Sequence, residues 1–182
     1  MATLYKITDQ DGWTRRRHTN ACLWGPGVTH TGTGEGGLCG PGYIHAYADP
    51  LVAVFLNPLH GAYADGFRLW EAEGEIAIDD NGLKCGCVSL TTVREIPIPV
   101  VTIGQRVRFA ILCAKQVTED KKWLTWADAW LNNEDRTAAW AAQAAAEWVA
   151  QAAAAWAAEV TPIDLPAIAR KAVEHQMTRA SK

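Results

Sequence analysis

Methionine, phenylalanine and tyrosine are scarce in this 182-residue chain, with 2, 3 and 4 copies, and several whole signatures are missing from it. No stretch of about 18 residues is apolar without polar interruption, so no membrane-spanning helix is expected. The opening MATLYKITDQDGW has neither a basic n-region nor an apolar h-region, so no secretory leader is expected either. Positive charge is not in excess. The net charge is −3, with 10 Lys and Arg against 11 Asp and Glu in residues 1–118, 3 against 7 in 119–160, and 4 against 2 in 161–182. Duplex nucleic acid needs a cationic stripe to displace its counterions, so direct duplex binding by charge is not expected and a protein partner is.

The five cysteines (Cys22, Cys39, Cys85, Cys87, Cys113) make an odd set without CxxC spacing, which fits reduced thiols in a cytosol better than a disulfide framework. His30, His45 and His60 recur every fifteen residues near Cys22 and Cys39, but the one close pair, Cys85-Gly86-Cys87, has unusual spacing for zinc. We expect no metal site. The glycine-rich segment carries no P-loop lysine and no GxGxxG after a strand, so a phosphate cradle there is weakly supported. Cys39 precedes His45 by six residues and could form a thiolate–imidazole pair, yet no third orienting group is visible.

What the chain does contain points to an α+β fold. Leu4–Ile7 reads as a strand closed by the turn Asp11-Gly12. Residues 25–42 hold eight glycines and two prolines, which predicts a long irregular loop. A strand over Tyr43–Tyr47 then runs into Asp49-Pro50, a helix cap followed by the residue suited to the first helical position. The apolar run Leu51–Leu56 predicts a helix buried on all sides, ended by Asn57-Pro58. Further strands are expected over Phe67–Glu73, Lys84–Leu90 and Val93–Val101, the second following a turn at Asp80-Asn81-Gly82. Pro97 and Pro99 place the last on an edge or break it. Thr102 and Gln105 have capping-box spacing, predicting a helix to about Ala114.

The reading is a small mixed or antiparallel sheet with packed helices in a core domain of residues 1–118, followed by a helical region of residues 119–182. A helix over Glu119–Leu131 gathers Trp123, Trp126, Ala127 and Trp130 on one face. Residues 138–160 contain 14 alanines, the composition of a long helix over about 134–160. Trp140, Trp148 and Trp156 repeat every eight residues there. Eight residues overshoot two turns by about 80°, so the indoles wind around the helix, and all three are candidate partner-binding residues. Asp164 is expected to cap a short final helix using Ile168, Ala172 and Val173.

The strings Leu23-Trp24-Gly25-Pro26-Gly27-Val28-Thr29-His30, Leu38 to Tyr47, Asn57-Pro58-Leu59-His60, Arg68 to Gly74 and Val93 to Pro99 resemble a family of uncharacterised bacteriophage and prophage proteins over residues 3–135. That resemblance implies phage or mobile-element origin; with the acidic balance of residues 119–160 and the winding tryptophans, the expectation is a phage-encoded accessory protein in the host cytoplasm. Its partner would be a host cytosolic protein or complex, which it inhibits in an anti-defence role such as CRISPR inhibition. A phage structural or assembly role is an alternative. More loosely, Tyr5-Lys6, His45 to Asp49 and Thr91–Val107 resemble the ADP-ribosyltransferase fold. This implies NAD as cofactor, with Glu71, Glu73 or Glu95 supplying the acid that family places before its third-motif strand, where this chain has Leu90-Thr91-Thr92; the first reading needs no cofactor.

Independently of any relative, the loop from Gly25 and the strand after it crowd aromatic and titratable groups together. The expected rim has Trp24, His30, Cys39 and Arg68 as ligand-binding residues, to which the resemblance to the ADP-ribosyltransferase fold adds Tyr5 and Lys6. His45, Tyr47, Glu71 and Glu73 are the candidate catalytic residues.

Overall fold

The computed structural model describes residues 2–57, 60–61, 63, 65–132 and 163–174. The expected Ala-rich helix, with Trp140, Trp148 and Trp156, lies outside the described residues. The fold is α+β, with a mostly antiparallel five-stranded sheet, a two-stranded sheet and four helices among the described residues. The chain forms two compact units, Met1–Val100 and Val101–Lys182.

The first unit is built on the hairpin of two long strands, β6 (Phe67–Asp79) and β7 (Cys85–Ile96). Its turn is fixed by Asp79, which accepts from the Gly82 amide, and by Asp80, which accepts from that of Lys84. Asn81 and Gly82 take left-handed φ of 57° and 85°, which those two residue types tolerate best. Strand β1 (Ala2–Asp9) lies antiparallel on the far edge of β6. The short strands β4 (Thr29–Thr31) and β5 (Ile44–Ala46) follow one another along the far edge of β7. Between β1 and β4, β2 (Trp13–Thr14) and β3 (Cys22–Leu23) form the small second sheet.

The large sheet closes on itself. Just past β5, the Tyr5 and Tyr47 backbones exchange two hydrogen bonds of 2.8 and 2.9 Å, completing the ring β1–β6–β7–β5. Register shifts in the hairpin supply the curvature. Gly74 pairs with Leu90 and Ile76 with Cys87, so β7 carries one extra residue there. That residue resets the alternation, which lets Cys85, Cys87 and Leu90 share one buried cluster with Leu4, Trp24, Ala46 and Ala72. In place of separate strands over Lys84–Leu90 and Val93–Val101, β7 is continuous to Ile96, and Pro97 and Pro99 follow it.

Helix α1 (Pro50–Leu56) begins as the sequence predicts: the Asp49 carboxylate accepts from the Leu51 and Val52 amides, and Pro50 opens the helix. Val52 to Leu56 are all buried.

In the second unit, α2 (Ile103–Ala114) opens on a complete capping box between Thr102 and Gln105. Helix α3 (Lys121–Leu131) is capped by Asp120. Val107 and Ile111 of α2 cluster with Ala127 and Trp130 of α3, with Trp123 and Trp126 partly buried against them. Helix α4 (Leu165–Glu174) has Asp164 accepting from the Ala167 amide, and it buries Leu165, Ala169 and Ala172. Gln105 donates to the Val173 carbonyl at 3.3 Å, tying α4 to α2. The sequence reading set a boundary near residue 118; the compact units divide at Val100 because α2 turns its apolar face to α3. Among the described residues, no helix is long and apolar enough to cross a membrane.

Candidate functional sites

The residues expected to form one rim separate into three environments. Lys6 and Trp24 lie inside the closed sheet. Trp24 is 3% exposed, donates from its indole to the Thr14 hydroxyl at 2.9 Å and receives the edge of His30 at 4.5 Å. His30 itself is anchored at 2.9 Å to the Leu23 carbonyl, which can only accept, so that ring nitrogen carries a proton.

His45 and Tyr47 flank the point of closure. The His45 ring bonds to the Leu38 carbonyl, and partial burial lowers its pKa. Tyr47 is buried, which pushes its phenol up; its hydroxyl lies 3.2 Å from Nδ1 of His60, and the two rings stack at 6.0 Å. His60 is exposed overall, but the ring face on Tyr47 is desolvated and its pKa is lowered.

The remainder lie toward solvent. Cys39 is exposed in its loop. Half-buried Tyr5 stands opposite Glu71 in the β1–β6 register. Glu71 forms a 2.5 Å ion pair with Arg94, its partner across β7, and Arg68 pairs with Glu95 while lying over the Trp70 ring at 4.5 Å. Glu73 is exposed opposite Thr91. His45, Tyr47, Glu71 and Glu73 therefore do not converge on one reacting position.

The interior around Lys6 is chemically dense. Its ammonium donates to the His45 carbonyl at 2.6 Å and lies 5.1 Å from the Trp24 ring centre. Burial lowers its pKa to about 8, with the nearby Cys22, Cys87 and Cys85 working in the opposite direction. The Cys85 thiol donates to the Ala46 carbonyl at 3.4 Å; its interaction with the neighbouring Cys87 raises its own pKa and lowers that of Cys87, and the Lys6 charge favours the Cys87 thiolate further. Among the described residues no group of three or more His, Cys, Asp or Glu side chains is placed to hold a metal ion.

A groove of about 470 Å³ on the hairpin is lined by Glu73, Gly74, Glu75, Ile76, Val88 and Thr91 among others. Strand β1 ends at Ala2 opposite Gly74, so among the described residues the β6 edge from Glu75 to Asp79 has no strand beside it.

The larger cleft, about 610 Å³, is lined by Trp13, Arg15, Arg16, Arg17 and His18 together with His60, Tyr63 and the carboxylates Asp9, Asp11 and Asp65. The sequence reading passed over these arginines. Near-neutral totals for residues 1–118 hid them, although three consecutive arginines beside Trp13 are a visible local signal.

Comparison with family models, curated proteins and solved structures finds no match for this chain.

Proposed function

We propose that this chain is a phage-encoded accessory protein that acts in the host cytoplasm by binding and inhibiting a host macromolecular complex, an anti-defence role of which CRISPR inhibition is one example. The observation that carries the binding part is the hairpin groove. Ile76 and Val88 remain 41% and 38% exposed around it, beside a strand edge with no neighbour. Exposed apolar side chains next to free backbone amides and carbonyls are the features a partner strand needs to add to a sheet. Glu73 and Glu75 at the rim favour a partner with basic side chains there. The phage setting rests on the sequence resemblance.

An ADP-ribosyltransferase-like activity would rest on Glu73, because of its three candidate acids Glu71 and Glu95 each have a carboxylate oxygen engaged by an arginine. A binding protein needs no cofactor; a transferase would need NAD.

The test expresses the chain in a bacterial host with an active defence system and measures phage plaquing. The wild type should raise plaquing and co-purify with a component of that system. The Ile76→Lys/Val88→Lys variant should lose both effects at an unchanged melting temperature. A wild-type chain that protects no phage and retains no host protein sinks the proposal, and transfer of label from NAD to a host protein favours the transferase.

A further inference from the structure

We propose that the arginine-lined cleft beside β2 binds a nucleoside phosphate, presented either by the end of a single-stranded nucleic acid or by a free nucleotide. The cleft is separate from the hairpin groove, so this inference does not depend on the function proposed above.

The charges in the cleft are not equivalent. Arg16 is engaged by Asp11 at 2.5 Å and lies 3.9 Å from Asp9. Asp9 is further occupied by the backbone amides of Asp11 and Trp13, at 2.9 and 2.8 Å. Arg15 and Arg17 are exposed and have no acidic partner among the described residues. Two guanidinium groups two residues apart in the Arg15–His18 turn are suited to a phosphate, whose oxygens accept paired N–H donors.

The uncharged walls narrow the ligand class. Trp13 and Tyr63 are half-buried and line the same cleft, with the Arg16 guanidinium lying over the Trp13 ring at 6.0 Å from its centre. Aromatic faces of this kind stack nucleobases and tolerate any base. Asp65 is exposed in the same lining, and unlike Asp9 and Asp11, which face Arg16, it is left to repel a purely anionic ligand but accept from a sugar hydroxyl or a base amine. An acidic peptide would use the arginines, leave the rings without a partner and meet Asp65; a nucleoside phosphate uses all three. The volume of about 610 Å³ lies in the range of small-molecule sites.

The backbone supplies an independent indication. Arg15 adopts φ of 53°, a left-handed conformation that costs a non-glycine residue about 1–2 kcal/mol. Glycine would relieve that cost and remove the guanidinium, so folding stability does not explain an arginine here and a use for its side chain does.

The test measures fluorescence anisotropy of a labelled, 5′-phosphorylated hexauridylate and calorimetry with adenosine monophosphate at low salt, with hexaglutamate as control. The wild-type protein should bind a nucleotide probe, and less tightly as salt is raised. The Arg15→Gly/Arg17→Gln variant should bind about tenfold or more weakly while melting no lower than wild type, and Trp13→Ala should also weaken binding. Tighter binding of the oligonucleotide than of the monophosphate assigns the strand as the source, and equal affinity assigns the free nucleotide. The inference is overturned if neither nucleotide probe binds, if hexaglutamate binds as tightly, or if the double variant binds like wild type.

Discussion

Lys6 shows how a single residue sets the chemistry of its surroundings. It belongs to a strand whose neighbours Leu4 and Thr8 are also buried, and it is 8% exposed. Its one strong hydrogen bond and its contact with Trp24 offset part of the cost of burying an ammonium. A pKa lowered from 10.5 to about 8 means that the folded protein releases this proton before the unfolded chain does. Below pH 8 both states are protonated and the charge costs the fold on the order of 3 kcal/mol. Between pH 8 and 10.5 the unfolded state binds more protons, so this group's contribution to stability rises with pH. Lys6→Met should therefore be more stable than wild type at pH 7 by about 1–3 kcal/mol, and the advantage should shrink as pH rises through that window. Chemical denaturation of both proteins at pH 7, 8, 9 and 10 measures the difference and cancels the titration of tyrosines and of the remote Cys39 and Cys113, leaving that of Lys6 and the thiols it touches. A variant less stable than wild type at pH 7 would show that the hydrogen bond outweighs the desolvation.

At the scale of elements, the glycine-rich loop is held far more firmly than its composition suggests. The Gly34 amide donates to the Gly42 carbonyl at 2.8 Å, and the Tyr43 hydroxyl donates to the Gly34 carbonyl at the same distance. A Cβ on Gly42 would come within 1.9 Å of the Glu35 carbonyl oxygen, whereas one on Gly37 meets nothing within 4 Å. Gly42→Ala should consequently cost about 3 kcal/mol or more, and Gly37→Ala should be neutral or stabilising by a few tenths of a kcal/mol, about the usual effect of restricting an unfolded glycine. Thermal melts of the pair test this; equal melting temperatures would mean that the loop does not pack in this way. The count of glycines foretold a loop, but only the close approach of its two limbs tells which glycines are obligatory.

At the scale of the molecule, the division at Val100 predicts that residues 1–100 fold alone, since that unit contains the closed sheet and the cluster around Trp24 and Leu90. The fragment should keep a near-ultraviolet circular dichroism spectrum from its ordered tryptophans and a cooperative melt; a molten spectrum would place part of its core contacts in the remainder of the chain. The sequence by itself determined the elements whose causes are local. The Asp49-Pro50 start of α1, the Thr102–Gln105 capping box, the Asp80-Asn81-Gly82 turn and the tryptophan face of α3 each depend on residues within four positions of one another. Tertiary structure decided what depends on distant partners. The Tyr5–Tyr47 closure and the meeting of Arg15 and Trp13 with Tyr63 and Asp65 join segments about 40 or more positions apart, while the bulge that turns both Cys87 and Leu90 inward and the packing of Lys6 on Trp24 join residues on different strands or loops, beyond the reach of any local pattern. A period of two or 3.6 residues states which side chains share a face; strand register and sheet closure determine what that face meets.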